Sequence, residues 1–179
     1  RGAVEAEPGL LGRVVEPTLD VFSQPSFASE KLKTLWRDDV FEIAAAWVGD
    51  PIPEHNRTLY EVNGLGFAHS ASIQPVRDLP NLPLESIPYG GVLTEVSVPH
   101  INAHWRPRSD SELAYRFYYG MTFWVTGVSQ DVSLQKWYRI FDDKYTYVYY
   151  APAYAFRPIP VSELIPISSE VPPSEKLIE

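Results

Sequence analysis

Tyr115-Arg116-Phe117-Tyr118-Tyr119-Gly120-Met121-Thr122-Phe123-Trp124-Val125-Thr126-Gly127 is the stretch that decides the fold. It is dense in aromatic and β-branched residues, which fit a pleated, half-buried surface, and poor in helix formers. Gly120 interrupts it once, so it reads as two strands meeting at a kink. Beyond Gly120 the period of two sends Phe123 and Val125 into a core and turns Thr122, Trp124 and Thr126 outward. By the same parity Phe117 belongs to the core and Tyr118 to the surface. The outward rings either cover a neighbouring segment or form a ligand-stacking face.

The flanking sequence repeats this style. Val40 to Val48 reads as a strand, although its three alanines make a short helix conceivable, and Asp38-Asp39 before it reads as a polar, solvated corner. Leu59-Tyr60-Glu61-Val62, Asn63-Gly64 and Gly66-Phe67-Ala68-His69 form a hairpin pattern. Residues 49–57 carry two prolines and read as a loop. Pro80, Pro83, Pro88 and the pair Gly90-Gly91 give 77–91 the composition of an extended linker.

After that linker the chain begins again. A shift of 82 lays Asp20 to Ala46 on Asn102 to Val128 without a gap, matching Pro25 to Pro107, Ser29 to Ser111, Glu30 to Glu112 and Phe41 to Phe123. The apolar stations Leu19, Leu35, Trp36 and Ile43 fall on Ile101, Phe117, Tyr118 and Val125. Leu59 to Val62 then matches Trp137 to Ile140, and Ile73 to Val76 matches Phe156 to Ile159, the offset changing only at loops. The expected organisation is a loose N-terminal segment over 1–12, an all-β unit over 13–76, the linker over 77–91, a divergent second unit over 92–165, and a further linker over 166–179. Units of this size bury little core alone, so packing against one another is expected.

Composition narrows the function. A formal net charge of −8 and a pI near 5.0 argue against a nucleic-acid partner, which requires clustered Lys and Arg. The chain contains no Cys, which excludes disulfides, thiolate nucleophiles and Cys-ligated zinc. No run of about 18 apolar residues is present to form a spanning helix, and the first residues lack the apolar core of a signal peptide. The only Met is Met121, so a processed or excised piece is expected. His100 and His104 have metal-pair spacing only on a helix. In the extended chain that Pro99 and Asn102 imply, they stand about 13 Å apart, and no metal or other cofactor is expected. Adjacent Asp142-Asp143 reads as a turn rather than an acid/base pair.

The order Leu19-Asp20-Val21-Phe22-Ser23-Gln24-Pro25-Ser26, Leu35, the Asp38-Asp39 corner, Leu59-Tyr60-Glu61-Val62, Gly66-Phe67-Ala68-His69-Ser70 and Ile73-Gln74-Pro75-Val76 resembles the bacterial SH3-like (SH3b) domain. Its usual pattern is Leu-Asn-Val-Arg-Ser-Gly-Pro-Ser, a Lys-Gly corner, Trp-Tyr-Lys-Val and Gly-Trp-Val. Asn102 to Pro107, Tyr119-Gly120, Trp137 to Ile140 and Tyr147-Val148-Tyr149 stand at the same stations in a second copy. Asp38 replaces the corner glycine, Leu59 replaces the Trp, and the second copy ends without Gly-Trp. Lys176-Leu177-Ile178-Glu179 resembles the opening strand of an L,D-transpeptidase catalytic domain, whose Cys nucleophile and His-Gly motif are not in this chain.

The resemblance implies two partly open SH3-like barrels in tandem before an enzyme domain, in the cell envelope or outside the cell. It also implies a non-catalytic module that binds peptidoglycan or a cell-wall peptide. The alternative is a structural spacer that packs on the catalytic domain. Candidate ligand-binding rings are Trp105, Tyr118, Tyr119, Trp124, Trp137 and Tyr149, because amphipathic rings suit sugar and peptide faces.

Overall fold

In the computed structural model, which describes residues 2–50, 56–142, 144 and 146–164, the deciding stretch forms two strands that meet at Gly120, whose φ is 82°. The strands of the chain in order are β1 (Ala3–Glu5), β2 (Leu11–Val14), β3 (Thr18–Phe22), β4 (Lys31–Trp36), β5 (Val40–Val48), β6 (Thr58–Val62), β7 (Gly66–His69), β8 (Ile73–Val76), β9 (Val92–Val96), β10 (His100–His104), β11 (Leu113–Tyr118), β12 (Thr122–Gln130), β13 (Lys136–Asp142), β14 (Tyr147–Pro152) and β15 (Phe156–Pro158). No α-helix occurs among the described residues, only short 3-10 turns. Residues 166–179, with the Lys176–Glu179 motif, and His55, Asp143 and Tyr145 lie outside the described residues.

The strands build two antiparallel sheets of the same order, β4-β3-β7-β6-β5-β2-β8 and β11-β10-β14-β13-β12-β9-β15, with β1 added to β5 in the first. Each path has two free ends, so neither sheet closes on itself. The duplication extends to the irregularities. The register shift between Val21 and Phe22 recurs between Ala103 and His104, and the shift between Ile43 and Ala45 recurs between Val125 and Gly127. A bulge re-aims the side chains that follow it, so two bulges at matching stations place matching residues inward. Phe22 meets Phe67 as His104 meets Tyr150.

Each sheet wraps its own core. Val14, Val21, Leu35, Ile43 and Val62 fill the first, and Val96, Ala103, Phe117, Val125 and Ile140 occupy the same stations in the second. The expected alternation holds in β12, where Phe123 and Val125 turn inward while Thr122, Trp124 and Thr126 are exposed. Val40–Val48 is a strand throughout, its alanines included.

Two expectations change. The described part of the segment expected to be loose over 1–12 is paired: β1 pairs with Ala45 to Trp47, Ala6 N donates to Ala44 O at 3.0 Å, and β2 starts at Leu11. The reason is length, because β2 covers β5 only as far as Glu42 and leaves main-chain groups that β1 satisfies. The segment 77–91 contains no strand, yet it is docked on the second sheet. Leu79 N donates to Ser97 O at 2.9 Å, Asn81 N to Tyr154 O at 2.8 Å and Leu84 N to Tyr138 Oη at 2.8 Å, while Leu84 and Ile87 pack on the second core. Burial raises the Tyr138 phenol above its ordinary pKa despite the Leu84 contact.

Candidate functional site: an aromatic cleft on the second repeat

Strand β11 has two working faces because side chains alternate along it. Arg116 and Tyr118 point toward the first repeat. Tyr115 and Phe117 point the other way, with Phe117 buried and Tyr115 more than half exposed at 59%.

On the first face a carboxylate joins the repeats. Asp38 Oδ1 accepts from Arg13 Nη1 and Asp38 Oδ2 from Arg116 Nη1, each at 2.7 Å, and Tyr118 Oη donates to Oδ2 at 3.4 Å. The Arg13 guanidinium lies 4.0 Å from the centroid of the Tyr118 ring, a cation–π contact. Gln74 completes the set. Its Oε1 accepts from Arg13 Nε and Nη2, and its Nε2 donates to Tyr119 O at 3.3 Å. Burial pushes the Asp38 carboxyl up, but the hydrogen bonds from Arg116 and Arg13 outweigh it and hold the group below its ordinary 3.8. Burial, and then Arg116, hold the His100 imidazole below its ordinary 6.5, against the opposing pull of Asp38.

Asp38 is therefore no solvated corner, its side chain being only 10% exposed. Its φ of 69° is the left-handed conformation that Gly120 adopts at the matching station. Asp tolerates that conformation better than most residues, which lets one position turn the chain and carry the bridging charge.

On the second face a cleft of about 450 Å³ opens where β11, β12 and the β13–β14 hairpin meet. Tyr115, Phe117, Met121, Phe123, Tyr147 and Tyr149 line it, with the Asp142 carboxyl at its wall. The rings form one tract. Phe117 and Phe123 centroids stand 4.2 Å apart, and Tyr149 lies 6.1 Å from both Tyr115 and Phe117. Trp105 extends the tract, its ring 5.8 Å from Tyr147 and 5.4 Å from Tyr149. A second cleft of about 500 Å³, holding Trp124, Phe141 and Leu93, shares Phe123 and Asp142 with the first.

The six candidate rings separate. Trp105 and Tyr149 come together at the cleft, Tyr149 buried at 6% exposure and Trp105 at 40%. Trp124, 51% exposed, lies across Phe123 in the neighbouring cleft. Tyr118 is half-buried beneath Arg13, and Tyr119 supplies a carbonyl to the junction between repeats. Trp137 is core at 2% exposure, its Nε1 donating to Asp131 Oδ2 at 2.9 Å and its ring edge-on to His104 at 5.7 Å. It takes the station of the buried Leu59, which explains why its ring points inward.

Tyr115, Met121, Phe123, Tyr147 and Asp142 belong to the cleft although none was among the six. The duplication carries the missed signal: the first repeat has Lys33 at the station of Tyr115, Asp39 at Met121 and Gly66 at Tyr149. Gly66 has φ 134°, and a Cβ there would stand 2.4 Å from Phe22 O, so the first repeat has no room for the equivalent ring. The aromatic cleft is particular to the second copy and is not a consequence of the shared fold.

His100 and His104 lie at opposite ends of β10, and His104 Nδ1 donates to Ser111 O at 2.8 Å. Among the described residues no group of three or more His, Cys, Asp or Glu is placed to hold a metal ion. No protein-family model matches the chain, and no curated protein matches it.

Proposed function

We propose that this chain is a non-catalytic, envelope-directed binding module of tandem SH3-like units. In this reading it recognises peptidoglycan, through stem peptide or glycan, beside an L,D-transpeptidase domain outside the cell membrane. The observation that carries the reading is the aromatic cleft present in the second repeat and missing from the first. A duplicated fold needs no such asymmetry for stability, whereas a binding face does. Exposed Tyr and Trp rings offer apolar area with a hydrogen-bonding rim, which suits sugar and peptide partners. The acidic chain gains little electrostatic steering toward an anionic wall, so stacking and hydrogen bonds carry the affinity.

Co-sedimentation with purified peptidoglycan sacculi, with chitin as control, tests it. The protein is expected in the sacculus pellet, and Tyr147→Ala, which removes a 51% exposed ring, is expected to return it to the supernatant. Wild-type protein that stays in the supernatant overturns the reading.

The spacer alternative is favoured by a different observation, the Arg13–Asp38–Arg116 bridge, which joins the two repeats. It requires the longer protein to be more stable than its separated parts.

A further inference from the structure

We propose that the junction between the repeats is a proton-operated latch: protonation of His100 parts the two sheets, each of which stays folded, and uncovers the Tyr118 ring. This goes beyond the binding function proposed above and does not rest on it.

The contact between the sheets is narrow and charged. Each sheet has its own core, and among the described residues no strand of one packs broadly on a strand of the other. The polar side-chain ties that cross between them converge on one cluster. They are the bonds from Arg116 and Tyr118 to Asp38, the Arg13 guanidinium on the Tyr118 ring, and Gln74 Nε2 donating to Tyr119 O. Two folded units joined by a small polar contact move relative to one another once that contact weakens.

His100 stands inside the cluster. It opens β10 opposite Tyr118 and shares a cleft of about 380 Å³ with Leu11 and Val40 of the first repeat. Facing it are the Arg116 guanidinium from β11, the Arg13 guanidinium from β2, and Asp38 from the turn between β4 and β5. Asp78 and Tyr154 line the same cleft, Asp78 exposed and screened by water. Asp39 Oδ2 is occupied by the Trp36 N–H at 2.8 Å, and Gln74 on β8 carries no charge.

With a neutral imidazole, two positive groups share the Asp38 carboxylate at 2.7 Å each, and among the described residues no second carboxylate bonds either arginine. A proton on His100 makes three positive charges against that one anion. Partly buried charges repel more strongly than solvated ones, so parting the sheets into water relieves the excess.

The direction follows from linkage. Burial, and then Arg116, hold the closed-state pKa of His100 below 6.5, and the opened ring regains its ordinary value. The open form takes up the proton first, so its population grows as the pH falls from about 6.5 toward the closed-state value. One proton raises the open-to-closed ratio by at most about tenfold per pH unit. Asp38 stays charged at the start of this window, because its own pKa is held below 3.8.

Pulsed electron resonance on the intact chain tests the latch. The chain has no Cys, so spin labels on Lys33→Cys in β4 and Val132→Cys between β12 and β13, both exposed positions, report one distance across the repeats. One narrow distance distribution is expected at pH 8 and a second, broader one at about pH 5, with the amide spectrum of both repeats still dispersed. The His100 ring signals should titrate with the midpoint of opening, and the Arg13 side-chain signals should lose the shift that the Tyr118 ring imposes. His100→Gln is expected to stay closed throughout. Asp38→Asn, which tolerates the φ of 69° and removes the shared anion, is expected to be open at both ends of the range.

A distance distribution that does not change with pH, or a His100 midpoint apart from that of opening, overturns the proposal. So does His100→Gln opening as wild type does, Asp38→Asn staying closed, or loss of amide dispersion in both repeats as the distance changes.

Discussion

Asp38→Ala is the substitution with the largest expected effect on the coupling between repeats. Asp38 sits between two guanidinium groups at 2.7 Å each, with Arg13 only 9% exposed and Arg116 at 37%. Removing one partner of a buried ion pair strands the other and costs about 3–5 kcal/mol. Gln74 still accepts from Arg13, and the contact with the more exposed Arg116 is screened by solvent, so the low end applies, about 3 kcal/mol. Alanine at a φ of 69° adds about 1 kcal/mol of left-handed strain that glycine does not incur. The expected losses are therefore about 4 kcal/mol for Asp38→Ala and about 3 kcal/mol for Asp38→Gly.

At about 2–4 °C per kcal/mol for a chain of this length, the alanine variant should melt about 8–16 °C lower. Urea unfolding of both variants measures the difference, and a single wild-type transition should split as the repeats come apart. The reasoning fails if Asp38→Ala lies within about 1 kcal/mol of wild type. It also fails if Asp38→Ala is no less stable than Asp38→Gly.

Tyr138→Phe leaves Leu84 N–H without its acceptor and should cost about 1–2 kcal/mol. Limited proteolysis should then cut 77–91 faster than in wild type, and unchanged cleavage would show that this bond does not hold the segment. Acidification should weaken the junction in two stages. The folded pKa of His100 is lowered, so its unfolded form takes up a proton first. Stability falls as the pH drops from about 6.5 toward the folded value. The folded pKa of Asp38 is also lowered, so its contribution is complete above 3.8 and lost as the pH falls through the folded value. His100→Gln should flatten the first stage in urea titrations between pH 8 and about pH 5, and an unchanged slope would contradict it.

Much of the architecture is legible in the sequence. The offset of 82 carries β3 onto β10, β4 onto β11 and β5 onto β12 at both ends of each strand. Asn63-Gly64 does turn the chain between β6 and β7, as a loop closed by Leu65 N donating to Val62 O at 2.9 Å. The candidate site was legible only in part. Tyr149 lines the cleft and Trp105 packs on Tyr149, whereas Trp137 looked as eligible as they did and is core. Comparing repeat stations, Lys33 against Tyr115 and Gly66 against Tyr149, was the available signal for the rest.

Period-two patterning and turn residues determined the strands and their sides, because they depend on neighbours a few positions apart, and comparison of the sequence with itself showed two related units. Only the tertiary structure decided what covers each side. Tyr118 and Trp124 share outward parity, yet Arg13 from the first repeat lies over one ring and leaves the other half exposed. Asp38 became a part-buried bridge because Arg116 approaches from 78 positions away. Burial and charge pairing are set by residues distant in sequence, and no local pattern records them.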